Sequence, residues 1–273
     1  MSDPTLFATS QVLDSRIQIP SPPTLLGELN TLLDAADVNL KKVAELLARD
    51  AGITALLFKL AASPAFGGRK APDSVDQVIS LLGLGTVADL VRGLLLRASL
   101  YGDSAFYAWF WERSDDIARI AGAVAAERRS VTRLPPGHVQ LAALFHDCGV
   151  PILAGRFPEY IDFFRHGAGH NYVWPRVKET DARFNTSHAV VGNMVAKHWK
   201  LPDYVCEAVR LHHDTAIKER RVAMLVAILQ LAAHLYNLHG MKDDTGWEDN
   251  RDAALAALDM NEQDLLDMEE DLG

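Results

Sequence analysis

The sequence predicts an all-α fold. Apolar residues recur at helical spacing along most of the chain, and Pro, Gly, Asn and Ser stand where helix ends need them. No stretch alternates with the period of two that a half-buried strand requires. The first helix is expected after Pro22-Pro23, where Leu25, Leu26, Leu29, Leu32 and Leu33 share one face. Asn39 is placed to cap a second helix carrying Val43, Leu46 and Leu47, and Thr54 to Ala62 reads as a third. Ser74 and Gln77 form a capping-box pattern ahead of Val78, Leu81 and Leu82. Gly83 and Gly85 end that helix, and the next runs from Thr86 to about Ser99. Between the third and fourth helices, SPAFGGRKAPD (63–73) is a Pro/Gly-rich loop. Its Arg69 and Lys70 are expected to be solvated.

A second region starts near Asp103. Tyr107, Trp109, Phe110 and Trp111 form an aromatic cluster, expected to pack in a core, ahead of a helix over Asp115–Arg128. Pro135-Pro136 opens a helix that leads into His146-Asp147. Further helices are expected near Phe157–Phe164, Pro175–Phe184, Ser187–Trp199, Pro202–His212 and Arg220–Leu238. Two short ones follow over Asp252–Leu258 and Glu262–Met268. The organisation is therefore a helical lobe over 1–102, a helical core over 103–240 and an acidic, solvated extension over 241–273, with the two lobes sharing one interface.

Composition narrows the function. Of 273 residues, 49% are hydrophobic and 23% charged, ordinary for a globular chain. A net charge of −9 argues against a nucleic-acid surface, which needs a basic patch. Arg92 and Arg97 interrupt Leu90–Leu100, and Gln230 and His234 interrupt Met224–Leu235, so no bilayer-length apolar run is expected. The first residues lack a basic, apolar leader. Cys148 and Cys206 are too few for a disulfide framework, which points to a reducing cytoplasm. Cys148 is expected to be a small buried hydrophobe.

The chemistry concentrates at His146-Asp147, set in the apolar run LAALFHDCGVPIL. A carboxylate buried there needs a charge partner or a metal. Imidazole and carboxylate both suit divalent first-row metals. His188 opens a later helix and His212-His213 closes another, so three helix ends can deliver ligands to one point. Neighbouring helical residues point about 100° apart, so His212 and His213 are not expected to share one ion. His138, His198, His234 and His239 show no partner by spacing, and His166 and His170 are expected to be loop histidines.

Seven segments stand out: IPSPPTLLGELNTLL, AELLARDAGITALLFKLAASPAFG and SVDQVISLLGLGTVADLV in the first lobe, then FWERSDDIA, AALFHDCGVPIL, TSHAVVGNMVAKHWKLP and AVRLHHD. Together they resemble the HDOD domain, a regulatory branch of the HD superfamily of metal-dependent phosphohydrolases. The resemblance spans roughly residues 16 to 240. It implies an HD-domain-like helical core with an N-terminal helical lobe, and a metal site at His146, Asp147, His188 and His212 or His213. Three positions depart from an active HD pattern. Arg113 stands where the first ligand histidine is expected, Ala233 where a late aspartate is expected, and Val150 where many active relatives carry lysine. A guanidinium has no lone pair for a metal.

These departures point to a non-catalytic bacterial signal-transduction module with a degenerate metal site. Its partner is a signalling protein or small ligand supplied in trans. In that reading Arg113 pairs with Asp147 and locks the site. The alternative is a metal-dependent phosphohydrolase acting on a phosphodiester or nucleotide, with Asp147 as its catalytic carboxylate. It would hold one Zn²⁺, Mn²⁺ or Fe ion in a residual site of His146, Asp147, His188 and His212. A third reading is an interlobe pocket for a cyclic nucleotide.

Overall fold

The computed structural model describes residues 23–62, 72–100, 105–166, 172–175, 177–240 and 245–272. Among them every regular element is helical; one isolated bridge joins Arg165 and Tyr172, and there is no strand. The predicted class is the observed one. The first group comprises α1 (Thr24–Leu33), α2 (Leu40–Leu47), α3 (Ala51–Ala61), α4 (Val75–Leu82) and α5 (Leu84–Ser99). Asn39 caps α2 as expected, its Oδ1 accepting from the Lys42 amide at 3.1 Å. Helix α3 starts three residues before the expected Thr54, because Asp50 Oδ1 accepts from the Ile53 amide at 2.9 Å. Ser74 Oγ accepts from the Gln77 amide, while Gln77 Oε1 accepts from the amide of Asp73, one residue earlier than a standard capping box. Gly83 takes φ +82°, where a side chain is strained, and turns the chain sharply from α4 into α5. Arg69 and Lys70, with most of their loop, lie outside the described residues.

The second group begins with α6 (Ala105–Glu127), a single 23-residue helix. The aromatic cluster and the helix expected from Asp115 are thus one element. Phe106, Phe110, Ser114, Ile117, Ala121 and Val124 continue one buried face through both. Phe110 and Trp111 are core residues, whereas Tyr107 and Trp109 are half-buried. Then come a one-turn α7 (Arg129–Thr132), α8 (Pro136–Phe145), α9 (Gly149–Arg156), a 3₁₀ helix (Pro158–Phe164), α10 (Val177–Phe184), α11 (His188–His198), α12 (Asp203–Leu211) and α13 (Arg220–His239). Helices α6, α8 and α13 pack on one another, α12 packs on α8, α11 and α13, and α9 on α11. Helix α5 packs on α8 and joins the first group to this core.

Helix α13 corrects two expectations. It is long and apolar enough by length and composition to cross a membrane, despite Gln230 and His234. Ten of its residues are instead buried within the protein, as in the central helix of a helical core. The acidic extension is not simply solvated: α14 (Thr245–Leu258) packs on α13, and α15 (Glu262–Leu272) follows. Trp247, Leu255, Leu258, Leu265 and Met268 are buried between acidic neighbours. His234 stacks on Trp247 at 4.4 Å, and its Nε2 meets Glu269 Oε1 at 3.1 Å. An apolar stripe at helical spacing decides the packing, and net charge does not report it.

Candidate functional site

Three helix ends and one mid-helix residue meet at Asp147. His146 and Asp147 follow the last residue of α8, His188 is the first of α11, His212 and His213 follow α12, and Arg113 projects from mid-α6. Close approach of α9 to α11 makes the convergence possible. A Cβ at Gly149 would lie 2.0 Å from the His188 carbonyl oxygen and 2.8 Å from the Gly192 nitrogen, so only glycine fits beside the His-Asp pair. Cys148 is buried against Gly192, and burial pushes its thiol up, away from reactivity.

The two carboxylate oxygens of Asp147 have different surroundings. Oδ2 accepts from Arg113 Nη1 at 2.9 Å and lies 2.8 Å from His146 Nε2. Arg113 is itself buried, with its guanidinium carbon 3.9 Å from the centre of the Trp174 ring. Oδ1 lies 3.3 Å from His188 Nε2 and 3.1 Å from His212 Nε2. His188 Nε2 in turn lies 3.3 Å from His212 Nε2 and 3.0 Å from His213 Nε2. Oδ1 is buried and has no hydrogen-bond donor among the described residues.

Hydrogen bonding on the far side of the rings fixes what they present. Nδ1 of His212 donates to the Val209 carbonyl at 2.7 Å, and Nδ1 of His146 donates to the Ala143 carbonyl at 2.8 Å. Each ring therefore turns its Nε2 toward Asp147, whose oxygens offer lone pairs. Two acceptors about 3 Å apart need a proton or a cation between them. Burial holds His188 below the usual imidazole value against the pull of Asp147. His213 is exposed as a residue, yet burial of its ring, helped by His212 and His188, holds it well below that value. Both are thus in the metal-ligating form at neutral pH. Burial raises the Asp147 carboxyl, but His146, His188 and His212 overcome it and hold the group well below the usual carboxylate range. Asp147, His188, His212 and His213 form a cluster whose donor atoms lie within 4.8 Å of one another, a set that fits one divalent cation.

The family model for the HDOD domain matches residues 19–215, more than half of the chain. The chain belongs to the HDOD domain family. Among solved structures, this HDOD chain is similar to an HDOD domain protein of unknown function from Geobacter sulfurreducens, with TM-score 0.62, 21% identity and 98% and 97% of the two chains covered. It is also similar to a candidate metal-dependent phosphohydrolase from Shewanella amazonensis, with TM-score 0.70, 18% identity and 98% and 96% covered. Among curated proteins, one from Treponema pallidum with no characterised function is 22% identical over 210 residues, 77% of this chain. The HDOD chain spans only 40% of that relative's length. At these identities the solved structures speak for the fold.

Within this HDOD site, the donor set differs from the expected His146, Asp147 and His188 with either His212 or His213. His213 joins the cluster and His146 turns to the other carboxylate oxygen. Helical geometry argued against His212 and His213 sharing an ion, but α12 ends at Leu211. The two rings therefore follow turn geometry, with centres 3.9 Å apart. Val150 is fully buried in α9 and Ala233 half-buried in α13, and neither offers a ligand atom. Helix α13 reaches the site through Gln230 instead, whose Nε2 donates to the carbonyls of His212 and Asp214 and fixes the two-histidine turn. Gln230 and Trp174 were not singled out by the sequence; a lone polar residue inside α13's apolar run was the signal for the first. His166 is exposed, and His170 lies outside the described residues.

Proposed function

We propose that this chain is a non-catalytic HDOD module of bacterial signal transduction, acting in the cytoplasm on a protein or small ligand supplied in trans. The observation that carries the reading is the buried Arg113–Asp147 pair at 2.9 Å. It places a fixed positive charge on the carboxylate oxygen that a second metal would need. One ion, Zn²⁺, Mn²⁺ or Fe²⁺, fits on the opposite side, held by Asp147 Oδ1 and Nε2 of His188, His212 and His213. Four protein donors are the number that structural sites use, whereas a catalytic site keeps one position for water. Two free, buried thiols accord with a reducing compartment. Likeness to a candidate signal transduction protein from Marinobacter aquaeolei (TM-score 0.58, 17% identity, 99% of this chain and 65% of that one) accords with the signalling reading.

A metal-dependent phosphohydrolase is the second reading, favoured by the same donor cluster. A bound ion would supply Lewis acidity and an activated water. The two readings separate by assaying protein loaded with Zn²⁺, Mn²⁺ or Fe²⁺ on bis(p-nitrophenyl) phosphate and cyclic nucleotides. Turnover no greater than that of Asp147→Asn is expected. Metal-dependent turnover abolished by His146→Ala would overturn the proposal.

A further inference from the structure

His138 had no evident partner in the sequence, yet it sits at the centre of a polar chain far from the metal cluster. Its Nε2 donates to Asp89 Oδ2 at 2.8 Å, and its Nδ1 accepts from the Tyr204 hydroxyl at 2.6 Å. Asp89 is buried and its other oxygen accepts from Arg92 Nη1 at 2.7 Å, while Arg92 Nη2 donates to Asn30 Oδ1 at 3.1 Å. Arg221 lies over the Tyr204 ring at 3.8 Å. Burial pushes the Tyr204 hydroxyl up to about 12 despite Arg221, so it stays a donor. The chain thus runs from α1 and α5 of the first group, through the start of α8, to the start of α12.

Both helices it joins end at the candidate metal centre. His138 is in the first turn of α8, and His146 follows eight residues later, with Asp147 next. Tyr204 is in the first turn of α12, and His212 follows eight residues later, with His213 next. Eight residues of helix span about 12 Å. The helices touch at both ends: His138 meets Tyr204 at one, and the His146 and His212 rings meet edge to face at 5.2 Å at the other. They are parallel, in register, and cross-linked at the end remote from the site. A helix is stiff along its axis, so a shift at one end is delivered to the other.

We propose that Asp89, His138 and Tyr204 are positioning residues that set the register of α8 against α12, and thereby the convergence of Asp147 with His212 and His213. The chain also makes the first group of helices a party to that geometry, because Asp89 belongs to α5. This rests on reading the Asp/His cluster as a metal centre, and the coupling between the helix ends is readable without metal. A partner that moves α5 alters the cluster, and by linkage an ion at the cluster alters the affinity for that partner.

The test uses Tyr204→Phe, which removes one oxygen, with Asp89→Ala and with Asp89→Asn, which keeps one acceptor oxygen for His138. Two quantities are read on the full chain: Zn²⁺ affinity by chelator competition, and amide hydrogen exchange in metal-free protein. Tyr204→Phe and Asp89→Ala are expected to weaken Zn²⁺ binding by roughly fivefold, the scale of one net hydrogen bond, and Asp89→Asn by much less. In metal-free protein they speed exchange at 143–147 and 209–213 while leaving α13 unchanged. Wild-type Zn²⁺ binding unaffected by Asp147→Asn would sink the metal reading, and exchange alone would then decide the positioning role. Exchange at the far ends equal to wild type, or raised evenly through α13, overturns the proposal.

Discussion

Arg113→Met removes the guanidinium while keeping most of the apolar stem, and it probes the charge balance of the buried site. Unit charges 2.9 Å apart attract by roughly 6 kcal/mol at an effective dielectric of about 20. Desolvation offsets much of that gain, but deleting one partner of a buried pair leaves the other charge stranded, at about 3–5 kcal/mol. His146 Nε2 stands 2.8 Å from the same oxygen, so the lower figure, about 3 kcal/mol, is expected here. In a chain of this size that lowers the melting temperature by roughly 6–12 °C. Part of the loss comes from the stacking of Arg113 on Trp174 rather than from charge. Urea denaturation of Arg113→Met, Asp147→Asn and the double variant, all in chelator, separates the two. The coupling energy should be about 2 kcal/mol or more. Coupling below about 0.5 kcal/mol would refute the idea that Arg113 neutralises Asp147. With Zn²⁺ present the cost of Arg113→Met should shrink, because the ion supplies positive charge to the same carboxylate.

Two further outcomes follow from the packing and protonation of the site's surroundings. Gly149→Ala drives a methyl group onto the His188 carbonyl, 2.0 Å away, and should cost about 3 kcal/mol in denaturation; a loss under about 0.5 kcal/mol would contradict the close approach of α9 and α11. Asp181 has a buried Oδ1 with no hydrogen-bond partner among the described residues, and burial raises its carboxyl from 3.8 to about 6, partly countered by His212. The folded state therefore holds this proton after the unfolded chain has lost it, so stability falls as pH rises from about 4 through 6. Asp181→Asn should stabilise the protein at pH 7 by about 1 kcal/mol, after allowance for its partial exposure, and change nothing below about pH 4; equal effects at both pH values would exclude this account.

The amino-acid sequence alone carries the class and the family. Helical spacing, Asn39, Ser74 and the paired prolines are local signals, and helices and their caps form from local interactions. It also supplied the donors, because residue types such as His146-Asp147 in an apolar run, or His212-His213 after a helix, are legible without geometry. Boundaries differ where another local signal sets the element, as with Asp50 for α3 and the continuous buried face of α6. The tertiary structure alone decided how the donors divide. Which oxygen of Asp147 meets Arg113, and which meets His188 and His212, depends on helices distant in sequence bringing these side-chain atoms within about 3 Å of one another. The same holds for His213, admitted by the end of α12 at Leu211, and for His138 and Tyr204, joined across 66 positions. Side-chain hydrogen bonds and ion pairs act only at contact distance, and contact between remote segments exists only once the core has closed around them.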